Sequence, residues 1–182
     1  MNMLASRGQL RASFLRWALF TVPLCVLLGF LSGQLGSPDT AWFQSLVKPG
    51  IYPEPKWFGI VWTILYVMIG FALALVASAW GARGRTAALW VFAVHFALNL
   101  AWSYVFFGAQ QISGALALLV AIVLTLLVVI ALFWRVRRLA AVLLLPYLAW
   151  VCFATALNYQ FLQLNPQADG GTPEGAVERV RI

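Results

Sequence analysis

The sequence predicts an all-α integral membrane protein, built as a bundle of five transmembrane helices. Three observations carry this expectation. Of 182 residues, 63% are hydrophobic and only 9% are charged, whereas a soluble domain carries roughly 25% charged residues to face water. Mean hydropathy is +0.90. The apolar residues also fall in five continuous runs, each matching the about 20 helical residues that a bilayer core of about 30 Å demands. A cytosolic enzyme, a secreted disulfide scaffold and a disordered regulator are thereby excluded. Cys25 and Cys152 lie inside apolar runs and suggest no disulfide framework, and with His95 the only histidine a four-ligand zinc site is not expected.

The runs are too long and too continuous for the alternating strands of a β-barrel, so each is read as a helix. The first, 14–35, follows a basic N-terminal segment, 1–13. A long connection, 36–56, holds Pro38, Pro49, Pro53 and Pro55 with the aromatics Trp42, Phe43 and Tyr52. Such a loop is expected to fold as a lid over one end of the bundle. The second and third spans, 57–80 and 86–107, are joined by a short turn bearing Arg83 and Arg85. The fourth and fifth, 112–134 and 139–162, are joined through Arg135, Arg137 and Arg138. The membrane domain thus covers 14–164, and the polar tail 165–182, rich in Gly and Pro, is expected to be disordered.

The net charge of +7 is read as orienting the spans, not as a nucleic-acid surface. Basic residues concentrate in the N-terminal segment and in the second and fourth connections, which places the N-terminus in the cytoplasm and the lid loop and C-terminus outside. The rival reading is a cleaved signal peptide ending near Gly33; it has no small-x-small cleavage site, and Pro23 interrupts its apolar run.

Trp17, Trp80, Trp90 and Trp134 sit near span ends, as headgroup-level belt residues do. Trp62, Trp102 and Trp150 lie deep, where each indole N–H needs a protein partner or a ligand. On a helical wheel of the third span His95, Asn99, Trp102 and Phe106 share one side. Ala93, Ala97 and Ala101 form a small-residue stripe opposite, suited either to packing within the chain or to a dimer contact. His95 and Asn99, one turn apart, either bond each other as interhelical glue or face a site. Trp62 and Tyr66 on the second span, and Tyr147, Trp150, Ala154 and Asn158 on the fifth, supply two further aromatic and amide faces. Three such faces would enclose a flat-walled pocket for a large planar apolar ligand. The spans contain no Asp or Glu, which disfavours an ion path or a carboxylate-driven transporter, and no hydrolytic constellation or phosphate loop is present.

Four blocks stand in order along the chain: Trp42 with Lys48-Pro49, Val61-Trp62-Thr63-Ile64-Leu65-Tyr66, Asn99-Leu100-Ala101-Trp102 with Phe106-Phe107-Gly108, and Pro146-Tyr147-Leu148-Ala149-Trp150 with Ala154-Thr155-Ala156-Leu157-Asn158-Tyr159. In these blocks the chain resembles the tryptophan-rich sensory protein/translocator protein family, TspO/MBR. The resemblance implies a five-helix bundle, commonly dimeric, in a membrane, the bacterial cell membrane being favoured. It also implies a cavity beneath the first loop that takes a porphyrin such as protoporphyrin IX as ligand, with no required cofactor. By the same resemblance Trp62 and Trp150 match tryptophans implicated in porphyrin binding and light-dependent porphyrin breakdown, and Trp42, Phe43, Tyr66, Asn99, Trp102 and Tyr147 line or close the site. The chain departs from the family pattern at Ile51, where a tryptophan is usual, and at Phe43, where a tyrosine is common. With no Lys or Arg within five residues after Tyr159, sterol recognition through the proposed cholesterol motif is not expected. The implied role is a sensor or translocator of tetrapyrroles. The alternatives are a light- and oxygen-dependent porphyrin-degrading enzyme, with Trp62 and Trp150 as redox partners, and a transporter of a different small molecule.

Overall fold

Hydrocarbon offers no water to backbone N–H and C=O groups, so a chain crossing it must satisfy them within each segment. In the computed structural model, which describes residues 7–171, all the regular structure among those residues is helical. Five stretches are long and apolar enough to cross a membrane: Gly8–Gln34, Pro55–Ala77, Arg85–Gly108, Ile112–Val136 and Arg138–Leu164. Met1–Ser6 of the basic segment and residues 172–182 of the tail lie outside the described residues.

Helix α1 runs from Arg7 to Gln34, longer than the expected 14–35, because no breaker separates the basic segment from the apolar run. The short α2, Ala41–Ser45, lies in the lid loop and is capped by the Thr40 hydroxyl, which accepts from the Phe43 N–H at 3.2 Å. Helix α3, Pro55–Ala77, opens with proline in its first turn, where a missing N–H costs nothing. At its far end Arg85 donates twice to the Ala77 carbonyl, at 3.0 and 2.7 Å.

Helix α4, Arg85–Ser103, passes directly into a π-helical turn, Tyr104–Gly108, whose closing bond runs from Ala109 N–H to Tyr104 C=O at 2.7 Å. The extra residue per turn shifts the side chains beyond Ser103 from the wheel positions expected of a continuous α-helix. Helix α5 spans Ile112–Val136. The fifth crossing is not one helix: α6, Arg138–Leu143, and α7, Leu145–Leu164, meet at Leu144. Pro146 causes the break, since it has no N–H to donate and its ring crowds the preceding turn.

Helix α1 packs along α3, α4 along α5, and α5 along α7, while α6 leans on α3. The α1–α3 approach requires Gly70, where a Cβ would lie 2.6 Å from the Cα of Val22. There the Thr21 hydroxyl lies 2.8 Å from the Gly70 carbonyl. Because α6 takes the place against α3, the backbone of α7 stands off from α3, and the two helices meet through side chains. Large apolar side chains such as Leu19, Phe20, Phe30, Leu124 and Leu127 face outward, as suits a protein dissolved in lipid.

Ala93, Ala97 and Ala101 are exposed on α4, so packing of this stripe within the chain, one of its two expected roles, does not occur. The first residues of the tail depart from the expected disorder. Asn165–Gly171 is built into the lid end: the Asn165 side chain pairs with both backbone groups of Val47, at 2.7 and 3.0 Å, and Ala168 C=O accepts from Trp42 Nε1 at 3.0 Å. Polar, Gly-rich composition reads as disorder, but here its polar groups complete the bonding of the loop.

Candidate functional site: an aromatic interior and a lateral groove

Helix α3 presents Phe58, Trp62 and Tyr66 one turn apart. Trp62 stacks on Tyr66 with centroids 5.3 Å apart, and meets Tyr147 of α7 edge-on at 6.2 Å. The Tyr66 hydroxyl donates to Asn99 Oδ1 on α4 at 3.2 Å. Asn99 is therefore bound to α3, not to its neighbour His95.

His95 is fully buried. Its Nδ1 lies 2.9 Å from the Thr125 hydroxyl and its Nε2 3.0 Å from the Tyr147 hydroxyl. The Thr125 hydroxyl proton is directed to the Ala121 carbonyl at 2.8 Å. The consistent tautomer has Nδ1–H donating to Thr125 and Nε2 accepting from Tyr147. Both ring nitrogens are thus committed to joining α4, α5 and α7.

Beneath the lid loop the aromatics condense into one cluster. Phe43 contacts Phe106, Phe107 and Phe161 with centroids 6.2, 5.1 and 5.8 Å away. Trp42 meets Phe106 edge-on at 5.7 Å, and Trp102 stacks on Phe106 at 5.2 Å. Lys48 folds over the Phe43 ring, 4.1 Å from its centroid, and donates to the carbonyls of Phe43 and Leu46. Loss of water around its ammonium group pushes the Lys48 pKa below its usual 10.5. Partial burial pushes the Tyr52 phenol up. The expected positions Trp42, Phe43, Trp102 and Phe106 are therefore brought together, but they fill the space beneath the lid with their own rings.

Open volume lies to the side. A groove of about 440 Å³ runs between α3 and α7, lined by Val61, Ile64, Leu65 and Met68 from one helix and by Pro146, Ala149, Trp150 and Phe153 from the other. It is the space left where α7 stands off from α3. Of the sequence-predicted site residues, Trp150 alone lines it, with its ring 5.9 Å from Phe58 and 5.3 Å from Phe153. Ala154 is half-buried against the main core. The seven other lining residues were missed by sequence reasoning, although a signal was present. Each helix offers the same i, i+3, i+4, i+7 stripe, 61-64-65-68 and 146-149-150-153, but nothing in one sequence says that the two stripes face each other.

Hydrogen-bond accounting singles out three groups. Among the described residues, the buried side-chain polar atoms without a partner are Trp102 Nε1, Trp150 Nε1 and Asn158 Oδ1. Asn158 is half satisfied, since its Nδ2 donates to the Ile112 carbonyl at 2.9 Å. Leaving such a group unpaired out of water costs on the order of 1–3 kcal/mol. Two indole donors and one amide acceptor thus stand ready in an interior where His95, Tyr66, Tyr147 and Trp42 are all paired. The two donors can bind carboxylate or ring-nitrogen acceptors, and the surrounding ring faces can stack on a planar ligand.

Comparison with known proteins agrees with this architecture. The TspO/MBR family matches residues 21–164. The chain is 39% identical to the tryptophan-rich protein TspO of Chlorobaculum tepidum over 147 residues, covering 80% of this chain and 93% of that one. It is 36% identical to protein CrtK of Rhodobacter capsulatus, over 74% of this chain and 84% of the relative. It is 39% identical to the human translocator protein, over 71% and 78% of the two chains. A match that runs from within the first crossing to the end of the fifth, and relatives this similar over most of their length, make the chain a member of the TspO/MBR family.

Proposed function

We propose that this protein binds a porphyrin-type tetrapyrrole from within the membrane and acts as a sensor or translocator of it. The observation that carries this reading is the pair of buried, unpartnered indole N–H groups of Trp102 and Trp150, the second beside an apolar groove open to the lipid side. A porphyrin is a large apolar disc with acidic edge groups. The groove walls can bury its disc, and the Trp150 indole can donate to its acceptors. At about 25 cal/mol per Å², covering roughly 300 Å² of apolar ligand surface offers several kcal/mol before ordering costs, enough for micromolar affinity. Trp62 and Tyr66 stand one layer deeper and would stack on a ligand that enters past Trp150. The exposed stripe of Ala93, Ala97 and Ala101 is the proposed contact for a second copy of the chain.

The test is a titration of the purified protein with protoporphyrin IX in the dark, followed by tryptophan fluorescence corrected for porphyrin absorbance. Trp150→Phe keeps an aromatic ring and removes the donor, so affinity should fall roughly tenfold, the equivalent of about 1.4 kcal/mol. Trp134→Phe, at an exposed belt position, should leave the curve unchanged. Equal affinity in wild type and Trp150→Phe would overturn the assignment. Illumination of the loaded protein then separates binding from chemistry: many turnovers of one defined product would mean catalysis, and stoichiometric bleaching would not.

A further inference from the structure

We propose that the arginine-rich end of the bundle carries a specific site for the phosphate headgroup of an anionic phospholipid. The site is a cavity of about 250 Å³ between the start of α1, the end of α3 and the α5–α6 junction. Its lining combines polar Arg137, Arg138 and Ser78 with apolar Leu10, Phe14, Leu75 and Leu139.

Backbone conformation brings the two arginines together. Adjacent residues of a continuous helix point about 100° apart, so Arg137 and Arg138 would ordinarily diverge. Arg137 instead adopts an extended conformation, φ −149° and ψ 106°, between α5 and α6. That break lets both side chains line one cavity. Each guanidinium presents a planar fork of donors that matches phosphate oxygens.

Among the described residues, charge on this end is uncompensated. The described acidic residues Asp39, Glu54 and Asp169 all lie at the lid end, in the first connection and after α7. Arg85 is committed to the Ala77 carbonyl, and Arg138 leans on the Trp134 ring at 5.7 Å, whereas no carboxylate meets Arg137 or Arg138 among the described residues. The occupant is a lipid and not a free anion because the cavity is half apolar and sits at headgroup depth. Trp17, Trp80 and Trp134 surround this end as belt residues, Trp17 and Trp80 touching at 6.3 Å, and Leu10 and Leu139 expose 47% and 60% of their surface beside the arginines. Acyl chains can follow those side chains while the phosphate meets the guanidinium pair.

The experiment uses the full chain in neutral detergent and counts bound lipid by native mass spectrometry, with dioleoyl phosphatidylglycerol against dioleoyl phosphatidylcholine. The expected result is roughly tenfold tighter binding of phosphatidylglycerol, lost in the double variant Arg137→Gln/Arg138→Gln and kept in Arg83→Gln, which removes a charge from the same end outside the cavity. Ser78→Trp, which fills the cavity from α3 with every arginine in place, should abolish the preference too. It also decides the matter if the double variant fails to fold. Unchanged preference in the double variant, or in Ser78→Trp, overturns the site. Displacement of the lipid by inorganic phosphate also overturns it, in favour of a site for soluble anions.

Discussion

His95 illustrates how a single polar residue at membrane depth can be structural. Its two nitrogens tie Thr125 and Tyr147 to α4, and its ring packs against Tyr147 with centroids 5.6 Å apart. A ligand could reach neither nitrogen without first breaking an existing bond. Replacing His95 by Phe keeps a flat, somewhat larger ring and strands the Tyr147 hydroxyl, while Thr125 retains its backbone carbonyl. The expected outcome is a loss of about 1–3 kcal/mol of stability, seen as a lower melting temperature in detergent, with porphyrin affinity within about twofold of wild type. A large loss of affinity at unchanged melting temperature would make His95 a ligand contact instead. That His95 faces inward was legible in the sequence, because a polar group in a span must avoid lipid. That it bonds Thr125 and Tyr147, and not Asn99, was not, because helix register across neighbours depends on packing that one sequence does not encode locally.

Among the elements, the spans were the most legible because lipid imposes continuous apolarity, which needs no tertiary knowledge to detect. What escaped the reading were departures from regular helix. The π turn at Tyr104–Gly108 changes which rings meet Phe106, and the break at Leu144 lets α7 stand off from α3 and open the groove at Trp150. Pro146 signals that break, but not its direction. The strap after α7 escaped for another reason: its order comes from pairing with distant residues. Asn165 serves Val47, Asp169 Oδ1 accepts from the Ser113 N–H at 3.1 Å at the start of α5, and Gly170 N–H donates to Gln110 C=O at 3.0 Å. The strap therefore holds the lid loop against the bundle. Asn165→Ala removes both bonds to Val47, together with a local one to the Phe161 carbonyl at 2.9 Å, and leaves every ring of the aromatic cluster in place. Backbone amides of residues 46–48 that are protected in the wild type should then exchange on the order of thirtyfold faster, at about 1 kcal/mol for each of the two bonds lost. Hydrogen–deuterium exchange with mass readout checks this, and unchanged exchange would mean that the aromatic cluster alone holds the lid.

At the scale of the whole molecule, the charges of the described residues are divided unequally between the two ends. Arg11, Arg16, Arg83, Arg85, Arg135, Arg137 and Arg138 gather at one end, and Lys48, Lys56, Asp39, Glu54 and Asp169 at the other, where Lys56 and Glu54 pair at 2.5 Å. Arginine held near span ends resists transfer across a membrane, so the arginine end is proposed to face the cytoplasm and the lid to face outward. The same asymmetry would set the headgroup site in the cytoplasmic leaflet, where anionic lipid supplies its counter-charge. Cysteine labelling separates the two possible orientations. In a Cys25→Ala/Cys152→Ala background, Gly50→Cys in the lid loop should react with a membrane-impermeant maleimide in intact spheroplasts, while Arg83→Cys should react only after lysis. Both glycine and arginine positions are exposed, and Gly50 has open space where a Cβ would sit, so neither substitution disturbs packing. The reverse labelling pattern would place the lid in the cytoplasm and require a tetrapyrrole to arrive from that side or from the inner leaflet.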